Sequence, residues 1–154
     1  MDLFGYTKML ALSWRQPFGS AMLLEKIETR TWDTNHRGQV LICTSRLPYS
    51  DSELKAICGD VQYDRLLATI KGTPETIGLN GFAIAVGELV SSRVMKPSDE
   101  DRTFVQYRPN LFCHIYKNVR PIQPIPWTGS VGWLKLNQDF IKSIQYLEPS
   151  QTNL

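Results

Sequence analysis

The 154 residues contain no metal-ligand set, no disulfide framework and no apolar run of membrane-crossing length. Three cysteines stand far apart at 43, 58 and 113, an odd number without framework spacing. The only histidines, His36 and His114, have no Cys, Asp or Glu at metal-ligand spacing, so no metal is expected. No Gly-x-Ser-x-Gly elbow, Walker loop or dinucleotide fingerprint occurs, and no cofactor is expected either. The first residues lack the basic and then apolar pattern of a signal peptide. Nothing approaches the roughly 20 apolar residues that span a bilayer. The expectation is a soluble, cytoplasmic chain with no membrane partner. Net charge is nearly absent too: 17 Lys plus Arg oppose 15 Asp plus Glu, and a total of +2 argues for no partner class.

The placement of charge says more than its sum. From Arg102 to Gln138 there is no Asp or Glu, while Arg102, Arg108, Lys117, Arg120 and Lys135 bring positive charge. A shorter acid-free stretch, 34–50, carries Arg37 and Arg46. Convergence of these stretches would make one patch that attracts phosphates; scattered, they are ordinary solvated loops.

Along the chain, residues 9–13 read as a strand, and Pro17 stands where a helix opens before the apolar Ala21-Met22-Leu23-Leu24. Residues 27–32 suit a second strand. Val40-Leu41-Ile42-Cys43-Thr44 reads as a buried central strand. Ser50 and Glu53 have capping-box spacing ahead of a helix that Gly59 stops, and a second helix follows over 60–71. Residues 82–90 form the strongest strand signal, with Gly87 as a candidate bulge. After a polar connection with one helical turn near 97–101, a strand is expected over 112–119. An irregular, proline-bearing edge segment over 120–127 and a short strand over 131–136 complete the sheet. Asn137 caps a last helix carrying Phe140, Ile141, Ile144 and Leu147, and residues 149–154 form a flexible tail. About six strands with short helices, too irregular for a doubly wound fold, indicate an α+β domain on a curved or closed sheet, a small barrel.

Two clusters exceed what a core requires. Ser13-Trp14-Arg15-Gln16-Pro17 sits at a strand-to-helix junction, where Arg15 can fork to a phosphate or base edge and Gln16 can read an amide or base edge. The plain alternative is that Arg15 pairs with a carboxylate such as Glu28 and fixes the loop. In Glu25-Lys26-Ile27-Glu28-Thr29-Arg30-Thr31-Trp32, period two puts Lys26, Glu28 and Arg30 on one face and Thr29 and Thr31 on the other. Such a face is a candidate polar cleft, with Trp32 as a candidate stacking surface. It also offers an acid–base set of Lys26, Glu28 and Thr29. As a surface ladder it would imply no chemistry.

These segments resemble an ASCH domain (activating signal cointegrator homology) of the PUA-like superfamily. The resemblance runs through Ser13-Trp14-Arg15-Gln16-Pro17-Phe18, Ile27-Glu28-Thr29-Arg30-Thr31-Trp32 and Arg37-Gly38-Gln39-Val40-Leu41-Ile42. It continues in the strand over 81–89, in Asn118-Val119-Arg120-Pro121-Ile122-Gln123-Pro124, and in residues 129–136. It implies a partly open β-barrel with short helices over its ends, as one domain over 1–148 with its core at 9–136. It also implies a cleft for RNA, another nucleic acid or a modified nucleoside. The ligand-binding set so implied is Ser13, Trp14, Arg15, Gln16, Glu28, Arg30, Trp32 and Ser45. Some small members are similar amidohydrolases that deacylate N4-acylated cytidine with a Lys, a Thr and a Glu. Here the family's Lys position, five before the Arg of Glu-x-Arg, is Glu25, with Lys26 one residue later; Glu88 and Glu100 are further carboxylate candidates. The resulting expectations are a nucleic-acid or nucleotide-binding module, an amidohydrolase using Lys26, Glu28 and Thr29, or a protein-interaction module.

Overall fold

Val40-Leu41-Ile42-Cys43 sits at the centre of a single sheet, where every second side chain meets a different apolar layer. Val40 and Ile42 pack on one face with Leu12, Trp14, Leu66 and Ile84. Leu41 and Cys43 pack on the other with Met9, Val86, Ile122 and Ile144. Both faces are covered, which is why the strand reads as an unbroken apolar run and not as alternation.

The computed structural model describes residues 7–71, 75–129 and 131–147. The elements run β1 (Met9–Trp14), α1 (Phe18–Ala21) continuing as a 3-10 turn, β2 (Glu28–Arg30), β3 (Gly38–Thr44) and α2 (Asp51–Ile70). After a 3-10 turn at Glu75–Gly78 come β4 (Phe82–Val94), a turn into α3 (Glu100–Thr103), β5 (Phe112–Pro126), β6 (Leu134–Lys135) and α4 (Gln138–Ser143). The strand order is β2-β5-β4-β3-β1-β6, with only β1 and β3 parallel. The β4–β5 ladder shifts register three times, including between Val86 and Glu88 around Gly87. Each shift adds twist and bends the long strands. The sheet therefore curls into a partly open half-barrel whose end strands, β2 and β6, are not paired with each other.

Local signals act as expected in most places. Ser50 Oγ accepts from Glu53 N at 3.2 Å and Glu53 Oε1 accepts from Ser50 N at 3.0 Å, closing the capping box of α2. Gly59, at φ 76° and ψ 166°, breaks α2 into two segments; an L side chain would be strained there.

Three elements differ from expectation, each for a visible reason. Residues 112–126 form one strand, because β4 pairs along its whole length. Its prolines are tolerated because β2 covers the other edge only at residues 112–114, and beyond it that edge meets just the short segment 145–147: Gln123 N donates to Gln145 O and Leu147 N to Pro121 O. That same pairing shortens α4, whose capping residue Ile144 is already extended at ψ 126°. β6 is two residues long because Gly132 turns the chain at φ 73° and leaves Val131 fully exposed. The tail at 149–154 lies outside the described residues. All three cysteines are free and buried, and no helix among the described residues is long and apolar enough to cross a membrane.

Candidate functional site

β1 and β2 lie far apart in the strand order, yet curling brings their ends together: Arg30 Nη2, on β2, donates to Ser13 O, on β1, at 2.9 Å. Between them opens a cavity of about 440 Å³. Its aromatic lining comes from Trp14, Phe18, Trp32 and Tyr49, and its polar lining from Ser13, Arg15, Glu28, Thr29, Arg30, Thr31 and Arg108. Ile57, Val105 and Leu111 complete it.

Period two holds along β2, and the face it predicted is a buried charge ladder. Glu28 Oε1 accepts from Lys26 Nζ at 3.0 Å and from Thr29 N at 3.1 Å. Glu28 Oε2 accepts from Arg30 Nε at 3.1 Å. The Lys26 side chain is 0% exposed and that of Glu28 6%. Burial alone would raise the Glu28 carboxyl; Lys26 and Arg30 together outweigh it and hold the group below its ordinary value. One anion between two cations leaves the ladder with a net positive charge. The Arg30 guanidinium also lies 5.0 Å from the Trp14 ring centre and 6.0 Å from that of Trp32. Its Nη1 has no hydrogen-bond partner among the described residues.

Trp14 is 1% exposed, lines the cavity and carries an indole Nε1–H with no partner among the described residues. Tyr116 meets it edge-on at 5.8 Å; burial pushes its unpartnered hydroxyl far above the ordinary phenol value. His114 packs against Trp32 at 4.9 Å and its Nε2 bonds Trp32 O at 2.9 Å. Burial pushes that imidazole down, which disfavours its charged form, and the Nε2 contact with a backbone carbonyl oxygen ties the ring to Trp32.

Of the residues singled out in the sequence, Ser13, Trp14, Arg15, Glu28, Thr29, Arg30 and Trp32 all line this cavity, whereas Gln16, Lys26 and Ser45 do not. Gln16 is 2% exposed and fully engaged: its amide nitrogen donates to Ser20 Oγ, Thr76 O and Leu79 O, and its oxygen accepts from Ser20 N. Ser45 N donates to Trp14 O at 2.8 Å. Lys26 lies beneath the cavity, its Nζ held by Ile27 O and Glu28 Oε1 and 4.5 Å from the Phe18 ring centre; no Thr hydroxyl bonds it among the described residues. Arg15 does pair with a carboxylate, but with Glu53, not Glu28, at 3.0 Å and 3.3 Å, and it also donates to Leu47 O and Pro48 O. Phe18, Tyr49, Ile57, Val105, Arg108 and Leu111 also line it and were not singled out as site residues in the sequence; Arg108 had a signal as part of the acid-free stretch.

That stretch does not converge on one cleft. Arg108 reaches this cavity, Arg120 lines a second of about 680 Å³, and Lys135 lines a third. No cluster of three or more His, Cys, Asp or Glu that could hold a metal occurs among the described residues.

The titratable groups make acid stability a readout of the ladder. A buried His or a carboxyl held below its ordinary value adds stability that is lost as pH falls from the unfolded-state value through the folded one. Glu28 is held down by its cations despite burial, and Asp99 by the double hydrogen bond from Arg93, at 2.7 and 2.8 Å. His36 and His114 are pushed down by burial. Urea midpoints are expected to fall in two stages on acidification, first below about pH 6.5 and more steeply below about pH 4.5. A midpoint that rises between pH 7 and pH 4 contradicts the charge assignment.

No family model matches the sequence, and no curated protein matches it. Among solved structures, the crystal structure of a mutant ZmASCH protein from Zymomonas mobilis superposes with a TM-score of 0.56, covering 90% of this chain and 100% of that one at 10% identity. With the order of strands and the cleft between β1 and β2 established, that likeness identifies the architecture: this chain has an ASCH-like, PUA-like fold.

Proposed function

We propose that the chain is a nucleic-acid-binding or nucleotide-binding module, for RNA in the first place, that takes a base into the cavity between β1 and β2. The observation that carries this reading is the setting of Arg30. Glu28 and Ser13 O fix two edges of its guanidinium, Trp14 and Trp32 flank it, and Nη1 is left to donate into an aromatic cavity. A volume of about 440 Å³ falls within the range of small-ligand pockets. Flat aromatic walls suit a base, fixed donors suit its carbonyl or ring-nitrogen acceptors, and the cations Arg15 and Arg108 at the cavity favour an attached phosphate. Glu28 does not oppose an anionic ligand because Lys26 and Arg30 over-neutralise it.

The test is calorimetric titration of RNA mononucleotides and a short mixed-sequence RNA into the wild type and Trp32→Ala. Loss of one stacking surface costs about 1–3 kcal/mol, so affinity is expected to fall roughly 5- to 150-fold while the circular dichroism spectrum is kept. Wild-type protein that binds none of these at low ionic strength refutes the proposal.

A further inference from the structure

We infer that the ligand is a single strand longer than one nucleotide, running from the base cavity along the β2–β3 loop to the second cavity, where Lys8, Arg37 and Arg120 hold its phosphates. This rests on the proposed function and adds a second subsite to it. The second cavity, about 680 Å³, opens over the start of β3, the middle of β4 and the middle of β5. Three cations line it, and among the described residues none pairs with a carboxylate. Two of them are nevertheless held in place by contacts that leave their charge unneutralised. Arg120 lies 3.9 Å over the Tyr146 ring, and Arg37 Nη1 donates to Thr34 O and His36 O. The single acid there, Glu88, is exposed and accepts only from Asn118 Nδ2, at 3.5 Å. Oriented, unpaired cations around one carboxylate suit a polyanion better than a neutral metabolite.

The two cavities are joined by an aromatic path. Trp32 lines the first; its ring meets Trp133 at 5.7 Å, Trp133 meets His36 at 5.2 Å, and His36 precedes Arg37 of the second. Trp133 and His36 are half-buried. Burial pushes the His36 imidazole down, and Lys8 and Arg37 push it the same way. Its charged form is thereby disfavoured beside the cations. Five extended residues span at most about 18 Å from Trp32 to Arg37. A strand of about four nucleotides covers that distance, at the lower end of what small single-strand-binding barrels occupy. A single nucleotide in the first cavity would leave both the aromatic path and the second set of cations unused.

The experiment compares RNA mononucleotides with a mixed-sequence RNA hexamer on the full chain, across ionic strengths. The hexamer is expected to bind at least roughly tenfold more tightly than the best mononucleotide. The double variant Arg37→Ala/Arg120→Ala should weaken the hexamer roughly tenfold and reduce its log–log salt slope by about 1.4, at about 0.7 for each phosphate no longer neutralised. Mononucleotide affinity should stay unchanged, since neither residue lines the first cavity. Trp133→Ala, which also removes a ring packed on Trp32, should weaken the hexamer more than the mononucleotide. Equal affinity for mononucleotide and hexamer, or a double variant that leaves hexamer affinity and salt slope intact, overturns the second subsite and leaves the base cavity standing. Failure of both ligands to bind overturns the two together.

Discussion

Glu28→Ala is expected to destabilise the fold by about 3–5 kcal/mol, the usual cost of removing one partner from a buried charge pair. The loss is large because Lys26 has no route to water: its side chain is 0% exposed, and beyond Glu28 its ammonium meets, among the described residues, only Ile27 O and the face of Phe18. Arg30 loses its orienting partner at the same time, so ligand affinity should fall with stability. Urea unfolding reads the effect as a lower midpoint at unchanged slope. Lys26→Met should cost less, since Glu28 keeps Arg30 and Thr29 N. The double variant Lys26→Met/Glu28→Met should recover part of the single-variant loss, because contacting residues are not additive. A Glu28→Ala protein within about 1 kcal/mol of wild type would mean that the ladder is solvated and not buried.

Trp14→Ala is expected to cost about 3–5 kcal/mol as well, through a different mechanism. Trp14 is 1% exposed and fills the space between the core face of the sheet and the floor of the cavity between β1 and β2. Its removal leaves Tyr116 without an edge partner and Arg30 without its nearest aromatic face. Trp14→Phe separates packing from recognition: it keeps much of the bulk but removes the unpartnered indole N–H. Denaturation midpoints should rank wild type, Phe variant, Ala variant in falling order. If Nε1–H meets the ligand, the Phe variant loses affinity out of proportion to its small stability change. Equal stability of the Ala variant and the wild type would show that Trp14 is not a core residue.

The fold was readable wherever the signal is local. The capping box Ser50–Glu53, the helix break at Gly59, the register shift at Gly87 and the double-faced burial of residues 40–43 each depend on a few neighbouring residues. The face shared by Lys26, Glu28 and Arg30 was readable for the same reason, since alternation along one strand sets it. Partners across the chain were not. Arg15 meets Glu53, 38 positions on, and Gln16 meets backbone oxygens 60 and 63 positions on. No periodicity encodes those distances; strand order and curling do. Nothing in the sequence marks Trp133 and His36 as neighbours of Trp32, because β6 and the β2–β3 loop converge only in three dimensions.

Glu53 serves the helix that follows it and the arginine at the cavity, and these two roles are separable. Its bonds with Ser50 close the capping box whether or not Arg15 is present, while the Arg15–Glu53 pair is between side chains 35% and 46% exposed. Such a pair is worth about 0–1 kcal/mol. The carboxylate is therefore a built-in competitor for any anion that approaches Arg15. A doubly charged phosphate can displace it at small cost without uncapping α2, whereas a weakly charged molecule gains little from doing so. Any anion reaching Arg15 would thus compete with one the protein supplies itself, and Glu53→Gln would lower that threshold while leaving the helix capped.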